Sequence, residues 1–568
     1  MIYSKISLSI LIATTCALSP LPASAAPTAS DLQTVMQSSA GADPGRELQD
    51  AQQRREAERV RQEMQAQQNA PGGTIEHATP DEEQPAAGTR FVLTSVTVDA
   101  SALLPDDVVK ASYADAIGKE SSLDDLYAIV ARLNDWYAAH SYLTCRAYLP
   151  PQTIHAGAVH IALIEGKNGD VTVTGNRSTS SGYIKDRLAV APGEIERMSD
   201  LQHRLDWFNG TNDVKLHITL QAGKAPGTTD YVITASEPPR RDTWSLYADH
   251  AGSETTGRWR QGLFYTNRSL TGRRDTLTLS GLHAKGLDSF SAGYELPVGR
   301  RGARVAFDYS TNSTEVIDGF YKQWDIPVKG HASYLSATLT QPLAVSYRGK
   351  TEASLAFTQT HSRTDVEGVT SLIDDTFRDV TAALTRTNYG SRWALYRKYA
   401  FTRGSWDSDS EFQFRPATTY NIVDFTGIYQ RGAAHGQLFT LRTRAQWSLT
   451  DDLRPSKQFF IGGVTSVRGY PENAIGADRG VTFSMEYGVP VWRGASLYTF
   501  LDAGKIWGEQ IEDQLMENTT LLGTGLGLRA HLWDGATLDT ALGIPLKKTA
   551  GSDDVASSQL HLSFVASF

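Results

Sequence analysis

Phe439-Thr440-Leu441-Arg442-Thr443-Arg444-Ala445-Gln446-Trp447-Ser448-Leu449 reads as a strand with two unlike faces. Apart from Thr443, its odd positions are apolar and its even positions are polar or charged. That is the period of two of an extended chain. Val481, Phe483, Met485, Tyr487 and Val489 alternate in the same way with Thr482, Ser484, Glu486 and Gly488. So do Ala303, Val305, Phe307 and Tyr309 with Arg304, Ala306 and Asp308. Shorter runs recur at Trp244–Ala248, Leu277–Gly281, Leu335–Leu339 and Ala353–Phe357. From Thr243 to Phe568 helical spacing is absent, and that stretch, roughly 325 residues, is large for a single sandwich. A soluble sandwich turns its polar face to water, whereas a membrane barrel turns its apolar face to lipid and its polar face to a wet lumen. Alternation alone does not say which face is outside. Turns and alternation divide the stretch into ~16 strands, and an even number is expected of a closed antiparallel bacterial barrel.

Leu560-His561-Leu562-Ser563-Phe564-Val565-Ala566-Ser567-Phe568 favours the barrel. Its even positions are apolar and it finishes on an aromatic ring. It resembles the outer-membrane targeting strand of bacterial barrels, which implies recognition by the barrel assembly machinery through a strand ending at Phe568.

The first 25 residues have the order of a cleavable secretory signal: Lys5, an apolar run from Ile6 to Leu18, then Ala23-Ser24-Ala25. With Cys16 removed in the signal, Cys145 is the one cysteine left, so no disulfide framework is expected, and its strand-like surroundings suit a packed small hydrophobe. The 568 residues carry a net charge of −9, which argues against nucleic acid as the partner. No later stretch approaches a transmembrane helix.

Residues 26–68 form a polar arm in which Asp43-Pro44-Gly45 starts a helix over Arg46–Gln65. Its apolar residues are few (Leu48, Val60, Met64), so it must be solvated or sit in a polar cavity. Residues 69–89, with Pro71-Gly72-Gly73, Pro80 and Pro85, have the composition of a disordered linker. Residues 90–167 read as β-α-α-β-β: a strand Phe91–Val98, helices Asp106–Gly118 and Leu123–His140, and strands Leu143–Leu149 and Val159–Ile164. Residues 168–237 repeat that order with Val171–Thr174, Tyr183–Leu188, Ser199–Trp207, Val214–Leu220 and Asp230–Thr234. The barrel then occupies 238–568.

The longest gap between strands, 450–478, contains Val467-Arg468-Gly469-Tyr470, and Phe500-Leu501-Asp502-Ala503-Gly504 lies beyond its return strand. A guanidinium in a narrow lumen is partly desolvated and needs a fixed partner, which a carboxylate fits as a planar fork. Glycines beside the arginine let a loop turn sharply and approach a wall. Asp502 is one such carboxylate, and Glu486 on its polar face is a possible second acceptor.

The two motifs, in this order and after two β-α-α-β-β units, resemble the Val-Arg-Gly-Tyr and Phe-x-Asp-x-Gly signatures of the superfamily of barrel insertases and secretion pores. The units resemble POTRA domains. Two of them behind a helix and a linker are similar to the two-partner secretion transporters, the ShlB/FhaC/HecB family. The resemblance implies an all-β transmembrane barrel of ~16 strands in the Gram-negative outer membrane with its POTRA units in the periplasm. It implies a loop folded back into the lumen, with Val467, Arg468, Gly469 and Tyr470 at its tip and Phe500, Asp502 and Gly504 on the wall. It implies type V protein transport: an unfolded exoprotein, extended, adds to exposed POTRA edges and threads a lumen that the polar helix plugs at rest. The alternative is a barrel assembly insertase of the same superfamily. A passive porin needs neither POTRA units nor the paired motifs. No catalytic role, metal or cofactor is assigned: Gly-x-Ser-x-Gly, His-Glu-x-x-His and the ATP-binding Gly-x-x-x-x-Gly-Lys-Ser/Thr are absent from the sequence.

Overall fold

The computed structural model describes residues 43–68, 74–76, 90–318, 322, 327–366, 369–409, 419–508, 520–547 and 557–568. The expected signal, the arm before Asp43 and most of the linker lie outside the described residues.

Sixteen antiparallel strands close on themselves, from Asp242–Asp249 to Gln559–Ser567. Each strand pairs with the next along the chain. The longest connection lies between Leu438–Ser448 and Arg479–Trp492, which pair directly although the loop 449–478 separates them. The first and last strands make the closing seam from Ser245 opposite Ser567 to Asp249 opposite Ser563. At its rim Trp244 and Phe568 exchange both backbone hydrogen bonds, at 3.3 and 2.8 Å. No lateral edge is left to aggregate.

The barrel is inverted relative to a soluble fold. Phe307, Phe357, Trp447 and Leu560 point outward and are about half exposed, whereas their polar neighbours Ser310, Thr360, Ser448 and His561 are buried inside. An apolar exterior around a polar interior is the polarity of a barrel that sits in lipid. The turns next to the N-terminal units are tight, as at Gly299–Gly302 and Arg493–Gly494, whereas the opposite rim carries the long connections.

The first α/β unit has strands Ser95–Val98, Ala158–Glu165 and Cys145–Tyr148 in that spatial order, packed on helices Asp106–Tyr113 and Leu123–Ala139. Ser122 caps the longer helix reciprocally: its Oγ accepts from Asp125 N, and the Asp125 carboxylate accepts from Ser122 N at 2.7 Å. Leu126, Ile129, Val130 and Leu133 lie on the buried stripe. Cys145 belongs to this core, and burial pushes its thiol up to about 11, which leaves it unreactive. The expected strand Phe91–Val98 is two strands, because Leu93 bonds through its N–H and C=O to Lys119 and Gly118 and bends the chain. The same contacts end the first helix at Tyr113 instead of Gly118.

The second unit repeats the topology with strands Lys167–Thr174, Thr228–Ser236 and Lys215–Ala222 over helices Ser181–Leu188 and Met198–Thr211. It is docked on the barrel rim. Trp207 Nε1 donates to Arg301 O at 3.0 Å, Arg187 to Gly299 O at 2.8 Å, and Arg300 pairs with Asp186 at 2.6 Å.

Part of the expected disordered linker is a strand. Ile75–Glu76 is a short strand, parallel to Lys215–Ala222 at the free edge of the second unit's sheet. Ile75 packs on that unit's core, and Thr74 Oγ1 meets His217 Nδ1 at 2.7 Å. An open edge strand and one apolar side chain are enough to fix Ile75–Glu76 within a stretch whose composition reads as disorder.

The helix spans Pro44–Gln68 and lies inside the barrel. It touches strands on most sides of the barrel at once, which is impossible from outside. Asn312 Nδ2 donates to Pro44 O at 2.9 Å, Ser362 Oγ to Asp43 at 2.7 Å, Arg55 to Ser291 Oγ at 2.8 Å, Lys398 pairs with Glu56, and Arg444 donates to Gln53 at 2.6 Å. The polar cavity is therefore the lumen. Val60 and Met64 pack against Ala394 and Tyr396.

Replacing outward Phe357 tests the inversion. Phe357→Arg is expected to lose ~2–4 kcal/mol of folding free energy in lipid, and Phe357→Leu close to none. Urea titrations of refolding into liposomes measure both; equal behaviour would place residue 357 off the lipid face.

Candidate functional site: the pinned inward loop

Loop 449–478 turns back into the barrel. Its limbs pair as a small hairpin, Phe459–Ile461 with Ile475–Ala477, which holds the tip together. Phe459, Ile461, Val467, Tyr470 and Ile475 bury themselves against Ile506 and Leu521 of the wall. The loop thus carries its own small core into a polar lumen, and so keeps one conformation there.

At the tip Arg468 is buried and fully engaged. Its Nε and Nη2 donate to the two oxygens of Asp502 at 2.7 and 2.8 Å, the fork arrangement that a lysine cannot copy. Its backbone N–H donates to Asp502 at 3.1 Å, so one carboxylate holds both main chain and side chain. Nη1 donates to Glu486 at 2.7 Å, and Nη2 reaches Ser484 Oγ at 3.2 Å. The guanidinium carbon lies over the Phe500 ring, 3.6 Å from its centroid. Glu486 is shared: Arg442 approaches it to 3.0 Å and Arg529 to 4.0 Å. Such a network is costly to break, because losing one member leaves a buried uncompensated charge worth about 3–5 kcal/mol.

Gly469 has φ +97°, and a Cβ there would meet Pro545 N at 2.8 Å. Tyr470 is fully buried, and its hydroxyl donates to Leu522 O at 2.9 Å and to Lys547 O. A Cβ on Gly504 would sit 2.9 Å from Val467. The structure therefore brings together every residue singled out from the two motifs, with Glu486 beside them.

Three groups of contacts escape a motif reading. Gly523 and Gly543 lie on the next two strands, and a Cβ on either would strike the loop backbone, at Arg468 O (2.0 Å) and Gly469 N (2.4 Å). The alternate-position run Gly523, Gly525, Gly527 was the available signal for this bare cradle. Ser484 and Arg442 are inward residues of alternating strands that nothing local marks as partners. Glu472, just past the tip, pairs with Arg54 of the luminal helix at 3.0 Å, and Arg54 also lies 3.8 Å from Asp249. Loop and helix are thereby joined. Among the described residues no His/Cys/Asp/Glu group could hold a metal ion.

The family model described as haemolysin secretion/activation protein ShlB/FhaC/HecB matches residues 227–530, and a ShlB-type POTRA domain model matches 91–166. The chain is similar to the heme/hemopexin transporter protein HuxB of Haemophilus influenzae, 21% identical over 80% of this chain and 82% of that one. Among solved structures, CdiB from Escherichia coli superposes with a TM-score of 0.66 at 20% identity, covering 92% of this chain and 99% of that chain. BamA from Haemophilus ducreyi lacking POTRA domains 1–3 superposes at 0.51 and 12% identity over 84% and 100%. At these identities the structural likenesses speak to the fold.

Gly523→Val is expected to expel the tip, at an overpacking cost of ~1–3 kcal/mol, and to open Arg468 to trypsin. Gly281→Val, whose Cβ would enter open space, is expected to leave it protected. Cleavage kinetics of both in detergent test this; protection in Gly523→Val would mean that the wall yields instead.

Proposed function

The chain belongs to the ShlB/FhaC/HecB family of haemolysin secretion/activation proteins, and from that premise we propose an outer-membrane pore that takes an unfolded exoprotein from the periplasm and passes it to the cell surface. The observation that carries the reading is a closed barrel whose lumen holds one loop and one helix that are not part of its wall, tied together by Arg54 and Glu472. A passive channel has no use for such an arrangement, and an export pore needs one to stay shut at rest.

The second α/β unit stands on the rim with short turns, which is the periplasmic rim of an outer-membrane barrel. Strands Ser95–Val98 and Cys145–Tyr148 end the first unit's sheet on its two sides. An extended client can add to such an edge through backbone hydrogen bonds, with little demand on its sequence. The corresponding edge of the second unit is covered by Ile75–Glu76, so a client docking there must first lift the linker that leads to the luminal helix. The helix, ~37 Å long, then has to leave before a chain can thread. No chemical step is involved, and the client's folding outside supplies the direction. Arg468, Asp502 and Glu486 keep the loop folded along the wall, where it shapes the channel without closing it.

The insertase reading shares only the fold. Deleting the chain separates the two: an exporter strands one large exoprotein in the periplasm, whereas loss of an insertase depletes many barrels. With that exoprotein as reporter, Arg468→Ala is expected to cut secretion to below about a tenth, the scale of a pinned state that loses a few kcal/mol. Normal secretion at normal membrane levels would remove the loop from the mechanism. Deleting residues 26–68 is expected to raise ion conductance in planar bilayers; unchanged conductance would mean that the helix does not plug the pore.

A further inference from the structure

The loop is held on more than one side. Its stem strands, Leu438–Ser448 and Arg479–Trp492, are neighbours in the barrel, and the tip lies against the strands that follow them. The descending limb leans the other way, onto the three strands that precede the stem: Val369–Tyr389, Trp393–Ser408 and Thr419–Gly432. There Arg454 Nη2 donates to Asp375 at 3.2 Å and to Ser408 Oγ at 3.2 Å, and its Nε lies 3.1 Å from the same carboxylate. Lys457 Nζ donates to Asp379 at 2.7 Å. Both carboxylates are buried.

Aromatic rings close this site. The Arg454 guanidinium lies 4.6 Å from the Trp406 ring, and Lys457 Nζ lies 5.0 Å from Phe377 and 5.9 Å from Tyr420. Tyr420 also donates its hydroxyl to Asp379. Leu453 packs into the same cluster. Shielded from water, ion pairs and cation–π contacts are both stronger than at an open surface. At the loop's base, the Asp478 carboxylate accepts from Asp452 N and Leu453 N, both at 2.9 Å, so the two limbs leave the wall as one unit.

We propose that Arg454 and Lys457, with Asp375 and Asp379, form a second and independent anchor, and that they are positioning residues which hold the loop where Arg468 can reach Asp502. The loop is a strap across its own stem, pinned on the left at its base and on the right at its tip. Freed at one end it swings about the other; freed at both it can leave the lumen. The proposal deepens the export reading, on which it rests for its purpose, since a client that displaces the tip would leave the base as a hinge.

The test measures loop position without any client. In a Cys145→Ala background, spin labels at Val464→Cys in the loop and Glu254→Cys in the first turn of the opposite rim report one distance by pulsed electron resonance in liposomes. Arg454→Ala with Lys457→Ala is expected to broaden that distance although every tip contact is intact in sequence, and Lys457→Arg in place of alanine, with Arg454 kept, to restore it. Adding Arg468→Ala to the double variant is expected to bring a population displaced by more than ~10 Å, the reach of three extended residues. Heat-modifiable migration on gels checks that each barrel is closed. Should the double variant fail to close, Asp379→Asn keeps the shape and removes the charge, and is expected to broaden the distance likewise. Distances identical to wild type in the double variant, or in Asp379→Asn, overturn the second anchor. Secretion of the exoprotein is followed in parallel: shifted distances with normal secretion would sink the loop's part in export and leave the anchor standing.

Discussion

Arg468 carries a permanent charge into the interior of a closed barrel, and much of the surrounding architecture meets the demands of that charge. A guanidinium out of bulk water needs its donors occupied and its charge balanced. Asp502 supplies the fork, Glu486 a second carboxylate, and Phe500 a ring face. These groups can reach the arginine only if the loop backbone lies almost on the wall. That closeness requires wall residues without side chains, which are Gly504, Gly523 and Gly543 on three successive strands. One charge thus dictates the composition of the strands around it.

The luminal helix is held by the same kind of polar contact. A segment with so few apolar residues gains little from a hydrophobic core, and in water it would be marginal. Inside the barrel it meets inward side chains of opposite charge or hydrogen-bonding character on most sides. Leu48, Val60 and Met64, its large apolar residues, are all buried. Apart from Val60 and Met64 on Ala394 and Tyr396 the fit is mainly polar, so the helix can be held without being committed. The Arg54–Glu472 pair then makes helix and loop neighbours in one network instead of two separate obstructions.

Much of this was legible in the sequence where the signal is local or periodic. The run around Phe439–Leu449 and its relatives carry the barrel, and the order of elements in 90–237 carries the repeated α/β unit. Arg468, Asp502 and Glu486 stand out because a charged residue in such company needs a partner. Legibility failed where the deciding contact is remote. Ile75–Glu76 lacks the length of a strand and owes its order to an edge some 140 residues further along, as parallel pairing across a large separation allows. The break between Val92 and Ser95 comes from Lys119 and Gly118. Arg454 and Lys457 sit in an ordinary polar stretch, and their partners lie 79 and 78 residues earlier.

By itself the sequence determined the class of the molecule: its extended segments, their number within a small error, and the residues that a desolvated arginine would require. Alternation is a property of single strands and survives any arrangement of them. It is also indifferent to which face is turned inward, because a period of two reads the same from either side. Only the closure of sixteen strands resolved that, by giving the polar faces a shared interior and the apolar faces a shared exterior. The place of the helix, the bare cradle beneath the loop and the clasp at its base were likewise decided by tertiary structure. Each is a contact between surfaces that do not exist until the barrel has closed.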